Sequence, residues 1–299
     1  MKIGKIFLPA ILLVLSKCLV APGQSRVETI RLESKLANAV LPYNVILPID
    51  YNLSKTHRYP VLYLLHGLNG HYSDWVSRTN IADYAAQYPI IVVTPEGNNS
   101  WYTDALNAPE KYESYILQEL IPDVQRRYRT IEAVYGRSIA GLSMGGYGAI
   151  KLGLKSPSTF VFAGSMSGAF SVTRRTQERA GTDWNNELKI FGPIGSETRT
   201  ANDLFEIIRP LSPERLSALP FFYLDVGTED ASWITNGNRE LASLMFEKKI
   251  PHEFRELPGN HSWKYWDRQV IEVLKLAAER MRPPAVPARS QTVRKIRKP

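Results

Sequence analysis

Gly141-Leu142-Ser143-Met144-Gly145-Gly146 follows an apolar, β-branched run at residues 134–140. Small and apolar residues at helical spacing (Gly148, Ala149, Leu152) come after it. That order predicts a strand, a sharp turn and a helix, with Ser143 at the apex. A serine held at such a turn projects its hydroxyl clear of the backbone. Its neighbours two positions away on each side, Gly141 and Gly145, must be small because strand and helix nearly touch there. The helix that starts after the serine aims free N–H groups at any negative charge forming beside it. These glycines fit no G-x-G-x-x-G register, and no G-K-[ST] follows them, so the turn does not read as a phosphate loop.

The flanking segments give the turn its setting. Residues 27–32 alternate apolar and polar like a half-exposed strand. Residues 41–49 carry two prolines and read as a short second strand near an edge. Residues 61–65 are apolar on both faces, as a central parallel strand covered by helices would be. They end in the loop His66-Gly67-Leu68-Asn69-Gly70. Further strands are expected at 90–94, 160–165, 221–226 and 252–257. Helices are expected at 81–87, at 111–127 with a kink at Pro122, at 233–249 and at 262–281. Strands alternating with helices imply an α/β protein with a mostly parallel central sheet and helices on both faces. The serine turn on such a sheet is the nucleophile elbow of the α/β-hydrolase fold. Residues 166–219 break the alternation, and a stretch that long between strands is expected to be a lid-like insertion over the site.

The chain has 299 residues and a net charge of +8, but the charge is unevenly placed. Lys2, Lys5 and Lys17 lie in the N-terminal leader. Arg282, Arg289, Arg294, Lys295, Arg297 and Lys298 lie in the last stretch. Setting these nine cations aside from +8 leaves the body near −1, so no nucleic-acid footprint is expected on it. Two lysines before an apolar run at residues 6–15, with Ala21 and Gly23 beyond, read as a signal peptide over 1–23. The run is short for a membrane span and Lys17 interrupts it. The expected protein is therefore secreted or periplasmic, with no stable membrane anchor once the leader is cleaved. Cys18, the single cysteine, leaves with the leader, so the α/β-hydrolase domain expected at 24–282 needs no disulfide. The proline-rich basic tail at 283–299 is expected to be disordered.

A serine alcohol needs a base to take its proton, and the base needs an acid to orient it. In this fold the chain order is nucleophile, acid, histidine. Only His252 and His261 follow the elbow. His252 falls inside a strand, whereas His261 follows a Pro258-Gly259-Asn260 turn at a strand's carboxyl end, where open α/β sheets place reactive groups. Asp225, Glu229 and Asp230 compete for the acid. Asp225 sits within the strand, and Asp230 is chosen because it lies past the Gly227 turn. Backbone N–H groups of Met144 and Leu68 are the expected oxyanion donors. Trp101, Tyr102, Trp184 and Trp263 are candidates to stack on a sugar or an aromatic acyl group, with Trp184 placed mid-insertion. No metal ligand set has the required spacing, and no cofactor is expected.

Taken together, residues 59–67, 137–149, Gly227-Thr228-Glu229-Asp230 and Gly259-Asn260-His261-Ser262-Trp263 resemble the esterase D-type esterases. That group includes S-formylglutathione hydrolases, feruloyl, acetyl-xylan and tributyrin-type esterases, and the secreted mycolyltransferases. The likeness runs from about Val27 to Met281. It implies Ser143 as nucleophile, Asp230 as acid, His261 as base, Leu68 and Met144 as oxyanion donors, and a small-molecule or carbohydrate ester as substrate. Glu96 stands where an aspartate is common in the family. The expected activity is a secreted serine carboxylesterase acting through an acyl-enzyme. The rival expectations are an acyltransferase, a thioesterase of the S-formylglutathione type, and a non-catalytic carbohydrate-binding relative.

Overall fold

The computed structural model describes residues 25–177 and 180–282. The leader and the basic tail read from the sequence lie outside the described residues, so the structure says nothing of either.

Period-two alternation builds β1 (Arg26–Ser34), which pairs antiparallel with β2 (Ala39–Leu47). β2 in turn pairs antiparallel with β4 (Ile91–Pro95). From β4 the sheet continues in parallel through β3 (Val61–Leu65), β5 (Arg137–Leu142), β6 (Phe162–Met166), β7 (Phe221–Gly227) and β8 (His252–Leu257). The order is β1-β2-β4-β3-β5-β6-β7-β8. With helices on both faces, this is the α/β-hydrolase fold.

The pleat of β3 shows how a two-sided apolar run holds the layers together. Val61, Tyr63 and Leu65 face one core with Tyr43, Val93 and Ile139. Leu62 and Leu64 face the other with Val92, Ala140 and Phe162. Burying each such side chain contributes ~1.5–3 kcal/mol, so losing either helical layer would expose half of every central strand. The second face is covered by α1 (Asp74–Arg78), α2 (Ile81–Ala85) and the C-terminal α11 (Trp263–Arg280).

The first face is covered by α3 (Tyr112–Tyr115), α4 (Ile121–Arg127), α5 (Met144–Lys155) and α10 (Ser232–Glu247). The kink expected at Pro122 is present as a wider turn, a π-helical stretch at Ile116–Leu120 joining α3 to α4. A proline ring clashes with the carbonyl four residues back and cannot donate to it, and widening the preceding turn relieves both problems.

The stretch between β6 and β7 is more ordered than turns and short apolar pieces. It holds α6 (Thr182–Phe191), α7 (Glu197–Ala201), α8 (Leu204–Ile208) and α9 (Pro213–Ser217). Ile190, Phe191, Leu204, Phe205 and Ile208 are buried in the first-face core, and α8 packs on α5 and α10. Helices of five to ten residues with capping Ser196, Asp203 and Ser212 carry too few apolar repeats for periodicity to stand out in the sequence.

Candidate active site

β5 delivers Ser143 to the carboxyl edge of the sheet with φ +52° and ψ −115°, a conformation rarely adopted by a side-chain-bearing residue. The backbone holds it there. The Ser143 N–H donates to the Met166 carbonyl at 2.9 Å, and the Ser143 carbonyl accepts from the N–H groups of Tyr147 and Ala169. A Cβ on Gly141 would lie 2.5 Å from the Gly145 carbonyl carbon, and one on Gly145 would lie 2.5 Å from the His66 carbonyl oxygen. Both positions admit only glycine.

The turn after β8 carries His261 and the turn after β7 carries Asp230. The Ser143 Oγ lies 3.0 Å from His261 Nε2, and His261 Nδ1 lies 3.0 Å from the Asp230 carboxylate. Asp230 also accepts from the Ala231 N–H at 2.9 Å. Trp266 stands edge-on to the imidazole at 4.9 Å, fixing its plane from the side. With Nδ1–H donating to Asp230, Nε2 is left as acceptor for the serine proton, the arrangement a general base requires. The rivals lie elsewhere. His252 is half-buried with its Nδ1 2.9 Å from the Ile250 carbonyl, Glu229 is exposed, and Asp225 is fully buried against the Tyr265 hydroxyl at 2.8 Å.

Beside Ser143, the N–H groups of Leu68 and Met144 have no acceptor among the described residues. Two such donors flanking a nucleophile can hold an oxyanion. The loop carrying Leu68 is fixed from behind by Glu96. Its Oε1 is 3.2 Å from His66 Nε2 and accepts from the Asn98 N–H, and its Oε2 accepts from the Tyr72 N–H. Burial pushes this carboxyl up, but the hydrogen bonds from His66 and from the backbone outweigh it and hold it down to about 2. Glu96→Gln removes that charge while keeping the size. It is expected to lower kcat by about 10–10²-fold through a displaced Leu68 N–H, with KM little changed. An unchanged kcat in steady-state kinetics would separate Glu96 from the site.

A cleft of about 620 Å³ opens at Ser143 between the Leu68 loop and the start of α11. Trp101 and Trp263 line it. Tyr102 does not: it is wholly buried, its hydroxyl donating to the His66 carbonyl at 3.1 Å, so its place is beneath the loop and not in the cleft. Trp184 is also corrected. It is 5% exposed beneath the Arg199 guanidinium, which lies 5.4 Å above its ring, and it does not reach the cleft. Trp184→Ala therefore loses packing and not a sugar contact. It should cost ~3–5 kcal/mol in denaturant unfolding, with KM shifts no larger for an acylated sugar than for p-nitrophenyl acetate.

The family model named Esterase, described as "Putative esterase", matches residues 34–276, a span that contains Ser143, Asp230 and His261. The chain belongs to the Esterase family. It is a carboxylic ester hydrolase. It is 28% identical over 243 residues to an acetyl esterase of Caldicellulosiruptor saccharolyticus, covering 75% of this chain and 88% of that one. It is 31% identical over 244 residues to esterase Rv1288 of Mycobacterium tuberculosis, covering 74% of this chain and 52% of that one, so it spans about half of that relative's length. A solved ferulic acid esterase superposes with a TM-score of 0.75 at 28% identity, covering 86% of this chain and 98% of the other.

Several cleft residues of this esterase escaped the sequence reading. Trp233 and Trp266 also line the cleft, and Arg78 and Arg175 lie over the Trp263 and Trp233 rings at 5.6 and 5.8 Å. Each arginine is paired with a carboxylate, Arg78 with Asp74 and Arg175 with Glu187. Trp233 and Trp266 each occupy the first turn of a helix that starts just after a β-strand's carboxyl end. That position was the available signal, since open α/β sheets gather ligand contacts there.

Proposed function

We propose that this esterase hydrolyses acyl esters of sugars or polysaccharides outside the cytoplasm through a covalent acyl-enzyme. The observation that carries the reading is the 3.0 Å Ser143–His261–Asp230 relay opening into a cleft walled by Trp101, Trp233, Trp263 and Trp266. Flat aromatic faces suit both sugar rings and aromatic acyl groups. The related proteins named acetyl esterase and ferulic acid esterase point the same way. The leader, with Lys2 and Lys5 before the apolar run, supports export.

In this reading Ser143 Oγ attacks the ester carbonyl while His261 Nε2 takes its proton. The developing oxyanion is held by the Leu68 and Met144 N–H groups, and losing one such donor costs ~3–4 kcal/mol of transition-state stabilisation. Collapse breaks the C–O bond to the alcohol, which leaves with the proton from His261. Water, deprotonated by the same imidazole, then attacks the acyl-serine, and the acid departs.

The test is a panel of acetyl, butyryl, feruloyl and S-acyl substrates with product identification. Acid released fastest from acetylated or feruloylated oligosaccharides is the expected result. Preference for S-acyl substrates, or acyl transfer to added sugar in place of water, would overturn it.

A further inference from the structure

On the far side of the Asn69–Gly70 turn lies a second cavity of about 450 Å³. It shares Asn69 and Gly70 with the cleft at Ser143, so the two adjoin at that turn. Its size is that of a small-ligand site. Four carboxamides line it, from Asn69, Asn98, Asn99 and Asn186, together with Ser100.

These amides are held in place by bonds that spend only part of their capacity. Asn69 and Asn99 are clasped reciprocally: the Asn69 N–H donates to Asn99 Oδ1 at 2.7 Å, and Asn99 Nδ2 donates to Asn69 Oδ1 at 2.8 Å. Asn186 Nδ2 donates to the Asn99 carbonyl at 2.6 Å, and Asn98 Nδ2 to the Tyr112 hydroxyl at 2.5 Å. A carboxamide has two donors and an acceptor with two lone pairs, so each keeps groups free for a ligand. Glu110, also in the lining, has a buried Oε2 with no partner among the described residues, an acceptor in want of a donor. Its other oxygen is paired with Lys189 at 3.1 Å, so this wall offers little net charge.

Neutral groups that both donate and accept, beside a lone acceptor, match hydroxyls that do both. They suit neither an anion nor an apolar chain. We propose that this cavity is a subsite for a neutral sugar unit on the alcohol side of the ester, with the acyl group in the tryptophan-walled cleft and the linkage passing over Asn69–Gly70. The inference rests on the sugar-ester reading above and adds the place where the sugar is held. It also gives the Asn69–Asn99 clasp a second consequence. A sugar bonded to Asn99 would brace the turn that carries Leu68, so occupancy would steady one oxyanion donor.

Two variants outside the cleft lining test it. Asn186→Leu keeps the side chain's size and removes its polar atoms, and Glu110→Leu removes the unpartnered Oε2 acceptor and serves if the first fails to fold. For either, kcat/KM for acetylated xylotriose is expected to fall about 5–10-fold, the cost of one lost hydrogen bond, while that for p-nitrophenyl acetate changes less than about twofold. In calorimetric titration, xylotriose should bind the Ser143→Ala protein and bind the double variant with Asn186→Leu more weakly by a similar factor, with inorganic phosphate giving no heat. Equal losses on both substrates, with wild type still turning over acetylated xylotriose, would remove the subsite and leave the sugar-ester reading intact. No xylotriose binding, together with wild-type activity on p-nitrophenyl acetate alone, would remove both.

Discussion

Ser143→Ala is expected to lower kcat for every ester by about 10⁶-fold and to abolish labelling by a fluorophosphonate probe, while the protein stays folded. The size follows from the relay: a nucleophile, base and acid that act as a unit lose nearly everything when the nucleophile goes, leaving only what the oxyanion donors and binding supply. The fold survives because the unusual φ of +52° is held by backbone groups, the Ser143 N–H on Met166 and the carbonyl under Tyr147 and Ala169. Alanine keeps the Cβ and loses only the Oγ, whose partner is His261 Nε2. Circular dichroism and thermal melting check the fold, and mass spectrometry of the labelled protein checks the site. Labelling that persists at Ser138 or Ser165, both fully buried, would overturn the assignment.

The parts of this molecule that were legible in the sequence are those where one residue type satisfies a single geometric demand. Glycines at 141 and 145 announce the touching of strand and helix, and the apolar run at 61–65 announces a strand buried on both faces. Chain order then narrows the histidines to two. The cleft walls were less legible because tryptophan serves burial and binding equally well: Trp184 and Tyr102 went to the core, and Trp233 and Trp266 went to the cleft.

Lys151 was illegible altogether. It lies on α5, one turn past the glycine-rich start of that helix, and is wholly buried. Its ammonium is 2.9 Å from Glu113 Oε2 and donates to the Tyr102 carbonyl at 2.9 Å and to Thr103 Oγ1 at 2.6 Å. Burial lowers it to about 8 against the pull of Glu113. These bonds tie α5 to the left-handed turn at Trp101 and Tyr102, where φ is +54° and +49°. Two such residues in succession are strained, and the strain is held by partners 40 or more positions along the chain. No local pattern can encode that.

Asp230→Asn should cost about 10⁴-fold in kcat, while Asp225→Asn should leave the rate near wild type. Both carboxylates follow from the same strand, five residues apart, and their surroundings set them to opposite tasks. Asp230 accepts from His261 Nδ1 at 3.0 Å and from the Ala231 N–H. An asparagine there can turn an NH₂ toward the ring, which favours the tautomer with the proton on Nε2 and leaves no acceptor for the Ser143 hydroxyl. Asp225 is sealed under Tyr265, and burial raises its carboxyl from 3.8 to about 7 despite the hydrogen bond from that hydroxyl. Between those two values the folded state holds a proton that the unfolded chain has released. Its contribution therefore weakens stability as pH rises from about 4 through about 7. Asp225→Asn removes that titration, so the variant should gain most over wild type at pH 8 and least at pH 4, with the slope of melting temperature against pH flattened across the window. Paired measurements of kcat and of melting temperature at pH 4 and pH 8 decide the matter. If Asp225→Asn, still folded, proved the slower enzyme, or if Asp230→Asn stayed within tenfold of wild type, the orienting acid would have to be sought elsewhere.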